Sequence, residues 1–387
     1  MQAVAGGTTT LQESHSLEKS AGLLEENVLL RSTANPNDMD YGTNEKIMSI
    51  VDFFRPNDQN QPDETWAVNK YREDRSAGAL VATLAHLAEG RSGLSGSEPD
   101  PYTRLEFETF MQHEVFQDAE LVRSSPLSLI HGCGIDPYNP EHTRFLRERQ
   151  ISVVWSPVSN LLLYGDTIDV GTLINEGVNV ALGSDWSPSG SKHVWDEARF
   201  ARFYLEALGD NISDAQIFQM VTVNAARCLG NKVLGRLKVG AMADFFILRS
   251  PLETDNPLEV FFKTTDEHVM AVMVSGEPIY GQRDFLEGFG RQLQGLPKLE
   301  GSAVADKAVH LPEGLKNAQG EPLDIDRDIT KLENMMKEPP APLEATMRSN
   351  LLASSDTPYR ARISKLKSDA VYYAWRVQRA RRQRERG

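Results

Sequence analysis

The stretch LVATLAHLAEG, Leu80–Gly90, is a run of apolar side chains that ends in a histidine and a glutamate. A continuous apolar run of this length, without polar alternation, is typical of a strand buried on both faces of a parallel sheet. His86 and Glu89 then lie where the strand gives way to a loop. The pattern predicts a strand whose carboxyl end presents polar side chains.

Six further apolar runs recur along the chain at wide spacing: TTTLQ, ENVLLRST, IMSIVDFF, LSLIHG, ISVVWSP and VNVALGSD. Helical patterns or helix-length gaps separate several of them, which indicates β/α repetition in a parallel sheet. A closed barrel and a doubly wound sheet both satisfy this pattern. The sequence therefore predicts an α/β fold of one of these two kinds.

Helical signals follow Asp185. The stretch WDEARFARFYLEALG forms one apolar face and ends at Gly209. Ser213 and Gln216 then make a capping-box pattern that opens a second helix, predicted to run to Gly230.

The last third of the chain differs in composition. ADFFILRS and HVMAVMVSGEPIYG predict strands of a small β appendage that closes near Gly281. From about Gly290 the chain is rich in Pro, Glu, Lys and Asn, with KEPPAPLE as its clearest linker, and should be mostly extended. These shifts predict an α/β region over 1–232, a small β appendage over 233–285 and an irregular tail over 286–387. The arginine-rich end is interpreted as a solvated helix or tail, with an anionic partner site as the alternative.

Charge and cysteine content indicate which binding partners and which cell compartment to expect. The formal net charge of −14 over 387 residues argues against a nucleic-acid partner for the main body and favours a small-molecule substrate. Two cysteines, Cys133 and Cys228, are too few for a disulfide framework, and no apolar run reaches membrane-spanning length. We expect a cytoplasmic protein without a membrane segment and leave a homo-oligomer open.

His131 and Asp185 end apolar runs in the same way as His86. Side chains at the carboxyl ends of barrel strands point into the mouth where the loops converge. Two imidazoles and a carboxylate are suitable ligands for one divalent ion. Glu89 is placed to take a proton from a metal-activated water. Each residue alone has a structural alternative, as a hydrogen-bonded core histidine, a turn residue or an exposed carboxylate.

The chain resembles the amidohydrolase superfamily, in particular its cytosine deaminase and chlorohydrolase-like branch. The matching segments are HLAEG (86–90), IHG (130–132), WSPVSNLLLYG (155–165), GVNVALGSDWSPSGS (177–191), TVNAARCLG (222–230) and GRLKVGAMADFFIL (235–248). Their order agrees with the family from near the N-terminus to about Gly281.

The resemblance implies a distorted (β/α)8 barrel of the TIM type over 1–232, a remnant of a small β-sandwich over 233–285 and one divalent metal ion, zinc first and iron or manganese as alternatives. It makes His86 the ligand on the fifth strand and places His131 on the sixth, near the metal and the attacking water. Asp185 would end the eighth strand, binding the metal or activating its water. Glu89 would carry protons to the ring nitrogen or leaving group. The metal ligands expected on this basis are His86, His131 and Asp185, and the catalytic residues are Glu89, His131 and Asp185.

One departure from the family is clear: its first barrel strand carries an HxH pair, and no HxH occurs in this sequence. The barrel is therefore expected to be incomplete, with the first strand missing. A truncated gene model or fragment, a site completed by another chain, and a degenerate non-catalytic protein each explain the departure, and the first is favoured.

Two functions follow from these alternatives. The first is a metal-dependent hydrolase acting on non-peptide carbon–nitrogen bonds, such as those of a cyclic amide, an amidine or a heteroaromatic amine. In that case this chain alone is weakly active or inactive and binds metal poorly. The alternative is a non-catalytic binding or scaffold protein.

Overall fold

The computed structural model describes residues 2–12, 30–33, 46–94, 96, 98–186, 189–290, 293–295, 306–310 and 356–384. The chain divides into two compact units. The first comprises Met1–Leu11, Ser16–Ser32 and Leu237–Arg362, and the second comprises Gln12–His15, Thr33–Arg236 and Ile363–Gly387. The boundaries expected after residues 232 and 285 stay a prediction.

The first unit begins with helix α1 (Gln2–Ala5) and two short strands, β1 (Thr10–Leu11) and β2 (Arg31–Ser32). These strands pair with each other in parallel, with Thr10 opposite Arg31. TTTLQ and ENVLLRST thus contain strands, but these strands do not join the sheet that holds the other predicted runs. The reason lies in buried Arg31, whose guanidinium forms an ion pair with Asp244 of the same unit at 2.6 Å.

The second unit opens with strand β3 and an antiparallel pair, followed by alternating helices and strands. In chain order these are β3 (Lys46–Ile50), β4 (Phe54–Pro56), β5 (Pro62–Glu64), α2 (Trp66–Ser76), β6 (Leu80–Leu87), α3 (Pro101–Gln112), α4 (Glu114–Gln117), α5 (Ala119–Arg123) and β7 (Leu127–His131). The series continues with α6 (Pro140–Arg149), β8 (Ser152–Trp155), α7 (Pro157–Tyr164), α8 (Val170–Asn175) and β9 (Val180–Leu182).

Strands β3, β6, β7, β8 and β9 form one parallel sheet of five strands in that order. Leu87 lies opposite His131, and Trp155 lies opposite Leu182. Each strand is beside the next one in the series, as in the wall of a β/α barrel, whereas a doubly wound sheet reverses its order from a central strand. The predicted α/β class is confirmed, with a TIM-barrel-like strand order.

Burial agrees with the apolar runs that predicted these strands. Every residue of β7 is buried, and in β6 only Val81 and His86 are partly exposed. Phe110 on α3 and Phe116 on α4 pack against each other with ring centroids 4.1 Å apart, and both side chains are fully buried. Strands without polar alternation thus have both faces covered.

Two helices follow the sheet as predicted, but the second ends earlier than predicted. Helix α9 (Val194–Leu208) ends at Gly209, whose φ of +73° is the left-handed C-cap conformation. The capping box of Ser213 and Gln216 opens α10 (Asp214–Met220). The predicted single helix to Gly230 is wrong because Thr222 leaves the helical region, at φ −127° and ψ −100°, and a separate α11 (Val223–Cys228) begins after it.

The remaining strands of the first unit form an antiparallel sheet in the order β10–β11–β12–β14–β13. Its elements are β10 (Phe245–Leu248), α12 (Pro257–Lys263), β11 (Val269–Val274), β12 (Glu277–Gln282), α13 (Arg283–Glu287), β13 (Leu293–Gly295) and β14 (Lys307–His310). The predicted appendage strands are confirmed. The sheet extends beyond Gly281, however, because all four residues of β14 are buried between its two neighbours.

Helix α14 (Asp356–Arg384) lies within the region predicted to be extended, so that expectation is wrong for this part of the chain. Its buried residues recur at helical spacing: Leu366, Ala370, Ala374 and Val377. This narrow apolar face is sufficient to pack a helix that is otherwise highly charged. KEPPAPLE lies outside the described residues. Within the described part of the chain, no helix combines the length and apolar character needed to span a membrane.

Candidate active site

The four predicted site residues all belong to the carboxyl edge of the parallel sheet. His86 is the penultimate residue of β6, and His131 is the last residue of β7. Glu89 follows β6 by two residues, and Asp185 follows β9 by three. Because the strands are parallel, their carboxyl ends meet at one edge, where barrel enzymes place their chemistry.

The two imidazoles are neighbours, with ring centroids 5.4 Å apart. His86 Nδ1 lies 3.2 Å from the carbonyl oxygen of Ile50. A carbonyl oxygen only accepts hydrogen bonds, so Nδ1 bears the proton and Nε2 keeps its lone pair. Burial and the adjacent His131 lower the pKa of His86, which favours the neutral form.

His131 lies between an amide and a carboxylate. Its Nδ1 is 3.0 Å from Asn160 Oδ1, and its Nε2 is 3.5 Å from Glu89 Oε2. Glu89 Oε1 accepts a hydrogen bond of 2.8 Å from the Tyr164 hydroxyl. Burial and this bond raise the pKa of Tyr164, so the hydroxyl stays a donor. Glu89 is thereby oriented toward His131, with 34% of its side chain exposed.

Asp185 starts a compact turn after β9. Its carboxylate accepts the backbone N–H of Trp186 at 2.7 Å. A side chain at Gly190 would place Cβ 1.8 Å from the Ser184 carbonyl oxygen, so only glycine allows this close approach. Burial raises the pKa of Glu197 to about 8, and the charge of Asp185 adds to this effect.

Three strand ends share an uncommon backbone conformation. Ala88, His131 and Asp185 have φ of 56°, 70° and 56°, in the left-handed region that residues other than glycine rarely adopt. Glu106 supports the first of these by accepting the Ala88 N–H at 2.8 Å, and burial raises the pKa of Glu106 to about 7. Such strain is concentrated at functional sites, which singles out this edge of the sheet.

The donor chemistry at this edge suits a divalent ion, but the number of ligands does not. Metal-binding histidines usually donate the other ring N–H to a carbonyl or carboxyl oxygen, as His86 does to Ile50. His131 has the same arrangement with the Asn160 oxygen. Within the described residues, however, no three His, Cys, Asp or Glu side chains are close enough to hold a metal ion. Contacts join His86 to His131 and His131 to Glu89, and the charge of Asp185 acts on His86.

Three other histidines contact the backbone. His113 and His193 accept the N–H groups of Val115 and Asp196 and so cap α4 and α9. His142 Nδ1 accepts the N–H of Asp136 at 3.0 Å. Each of these three histidines thus has a structural contact.

Three residues at the site had no predicted role: Glu106, Asn160 and Tyr164. Asn160 and Tyr164 lie in WSPVSNLLLYG, a segment that carried part of the family resemblance. That match was the available signal. The contacts of these residues with His131 and Glu89 depend on folding of α7 beside the strand ends.

Comparison with known proteins finds similarity over part of the chain. Residues 96–279 match the model of the Amidohydrolase family. The 5-methylthioadenosine/S-adenosylhomocysteine deaminase of Thermococcus onnurineus is 34% identical over 124 residues, covering 31% of this chain and 28% of the relative. The protein of the same name from Caldicellulosiruptor saccharolyticus is 28% identical over 188 residues, covering 44% of each chain. The chain thus spans less than half the length of these relatives.

A solved structure of E. coli guanine deaminase is 17% identical, with 62% of this chain and 56% of that chain covered and a TM-score of 0.47.

Proposed function

We propose that the protein is a member of the amidohydrolase superfamily, whose family model matches residues 96–279, and that it is a deaminase-type hydrolase acting on a carbon–nitrogen bond that is not a peptide bond. The observation that carries this proposal is the assembly of His86, His131 and Glu89 at the strand ends, with His131 Nε2 3.5 Å from the Glu89 carboxylate. A structural histidine does not require a second imidazole and an oriented carboxylate beside it.

The proposed reaction adds water to an electrophilic ring carbon and expels ammonia. The water oxygen bonds to the carbon, the exocyclic carbon–nitrogen bond breaks, and the ring keeps the oxygen as a carbonyl group. Glu89 Oε2 takes a proton from the water and passes it to the ring nitrogen, and then carries the remaining hydroxyl proton to the amino group, which leaves as ammonia. Tyr164 holds Oε1 of Glu89, and His131 binds the water or the substrate.

A divalent ion would complete this chemistry. Its ligands would be His86, His131 and Asp185, and zinc is proposed first, with iron or manganese as alternatives. When bound, the ion would activate the attacking water as a Lewis acid. Because the sequence lacks HxH and the described residues hold no three-ligand cluster, we propose that this chain binds the ion weakly and is weakly active or inactive unless the ion is supplied in excess.

Adenosine-type nucleosides are the proposed substrate class, since the relatives named above are deaminases of 5-methylthioadenosine and S-adenosylhomocysteine. Their adenine ring carries an exocyclic amine on an electron-poor carbon. Hydrolytic displacement of another leaving group, such as chloride, uses the same steps. We further propose a cytoplasmic location and a small-molecule substrate.

The second candidate is a non-catalytic binding or scaffold protein. The specific observation in its favour is the incomplete ligand set, because loss of a metal site removes the Lewis acid. The two candidates differ in whether any ammonia is produced.

An ammonia-release assay tests the proposed function. With excess zinc supplied, 5-methylthioadenosine or S-adenosylhomocysteine should yield ammonia at least about 100-fold faster than without protein. A chelator should abolish the difference. If zinc, iron and manganese each bind and no aminated purine or triazine releases ammonia, the scaffold candidate is the correct one.

A further inference from the structure

A buried chain of hydrogen bonds leads from the core of the second unit to His131. Trp155 Nε1 donates to Thr167 Oγ1 at 2.8 Å, and Asn160 Nδ2 donates to the same oxygen at 3.2 Å. Asn160 Nδ2 also lies 3.1 Å from Cys133 Sγ. All four side chains are at least 97% buried. Water therefore does not compete for the hydrogen bonds between these side chains.

This chain fixes the orientation of the Asn160 amide. An indole N–H can only donate, so Thr167 Oγ1 accepts from Trp155 and offers a further lone pair to Asn160. With its NH2 group directed at Thr167 and Cys133, Asn160 presents Oδ1 to His131 Nδ1 at 3.0 Å. An amide oxygen only accepts, so the partner nitrogen must bear a proton.

We propose that Asn160 is a positioning residue that holds His131 in the tautomer protonated on Nδ1, which leaves Nε2 as the ring nitrogen directed at the candidate site. In the other tautomer, two lone pairs would meet at 3.0 Å inside the core, and the buried amide oxygen would lose its donor. The catalytic value of this tautomer rests on the proposed function, whereas the tautomer itself follows from the hydrogen bonds.

Asn160 lies on the same helix as a second residue that orients a candidate catalytic side chain. It lies on α7, and Tyr164 on the same helix holds Glu89 at 2.8 Å. The segment WSPVSNLLLYG thus supplies orienting groups for two of the candidate catalytic residues from one helix. Neither Asn160 nor Thr167 itself exchanges protons in the proposed reaction.

Nitrogen-15 NMR of the histidine-labelled chain, with chelator present to remove metal, tests the tautomer directly. The His131→Gln spectrum assigns the His131 signals by their absence. In the wild-type protein, neutral His131 should be protonated on Nδ1. In Asn160→Leu, the ratio of Nδ1–H to Nε2–H should fall by about tenfold, as expected for loss of one buried hydrogen bond. Asn160→Asp should retain the Nδ1–H form, because its carboxylate also accepts.

Thr167→Val provides a second variant, since it leaves Asn160 in place but removes its orienting partner. We expect a smaller shift of the same sign. A wild-type His131 protonated on Nε2, or an unchanged ratio in folded Asn160→Leu, would overturn the proposal. The readout needs neither metal nor turnover, so failure of the proposed function would leave the tautomer result standing.

Discussion

Replacing Arg381 by methionine is expected to lower the free energy of unfolding of the second unit by about 3 kcal/mol. Arg381 lies 2.7 Å from Asp169 Oδ2 and 2.6 Å from Asp210 Oδ1. Asp169 is only 1% exposed, and the two aspartates raise the pKa of Arg381. Methionine keeps most of the side-chain volume but leaves a buried carboxylate without its cation, which is the costly change.

Urea denaturation followed by circular dichroism measures this effect, and Arg382→Met is the matched control. Arg382 is the next residue of α14 and is exposed. Its replacement should change the free energy of unfolding by no more than about 0.5 kcal/mol. Equal stabilities of the Arg381 and Arg382 variants would show that the contact of α14 with Asp169 and Asp210 does not stabilise the unit.

The Arg381 contacts also bear on the arginine-rich C-terminal segment. For Arg381 the anionic partners are Asp169 and Asp210 of the same unit, and these contacts hold α14 against that unit. Other arginines of α14 are exposed, including Arg379 and Arg382. For those, the interpretation as a solvated helix face stays a prediction.

Replacing Glu89 by glutamine is expected to reduce kcat of metal-supplied protein by about 10²- to 10⁴-fold. Glutamine retains an oxygen that can accept the Tyr164 hydroxyl, so the side chain should keep its position. It cannot take a proton from water at neutral pH. The loss should therefore appear in kcat, with a much smaller change in KM.

Glu120→Gln is the control for this experiment, because Glu120 is an exposed carboxylate near the N-terminus of α5. It removes the same charge from the protein and should leave kcat within about twofold. Ammonia release under saturating nucleoside and excess zinc gives both values. Wild-type kcat in a folded Glu89→Gln variant would remove Glu89 from the mechanism.

The sequence was most informative where burial on two faces leaves an unbroken apolar run. Leu80–Leu87 and Leu127–His131 became neighbouring strands of one sheet, with His86 and His131 at the same edge. Periodicity also located α9, because its apolar face is wide and its end is marked by Gly209. These features depend on local pattern, which a single sequence displays.

Features decided by long-range contacts were harder to predict. Strand β2 does not join the parallel sheet, because Arg31 pairs with a residue more than 200 positions away. The narrow buried face of helix α14 could not be recognised from composition, because most residues of the helix are polar or charged. Apart from its place in WSPVSNLLLYG, the sequence gave no sign of the role of Asn160, since its contact with His131 spans 29 residues and requires the folded helix α7.

The central proposal is that His86, His131 and Asp185 would bind one cation at the carboxyl edge of the parallel sheet. Anomalous diffraction at the zinc edge, on crystals of the chain soaked in zinc, tests it most directly. We expect one peak about 2.0–2.2 Å from Nε2 of both histidines and from a carboxylate oxygen of Asp185, at partial occupancy. Zinc bound elsewhere, with Asp185 directed away from the two imidazoles, would contradict the claim.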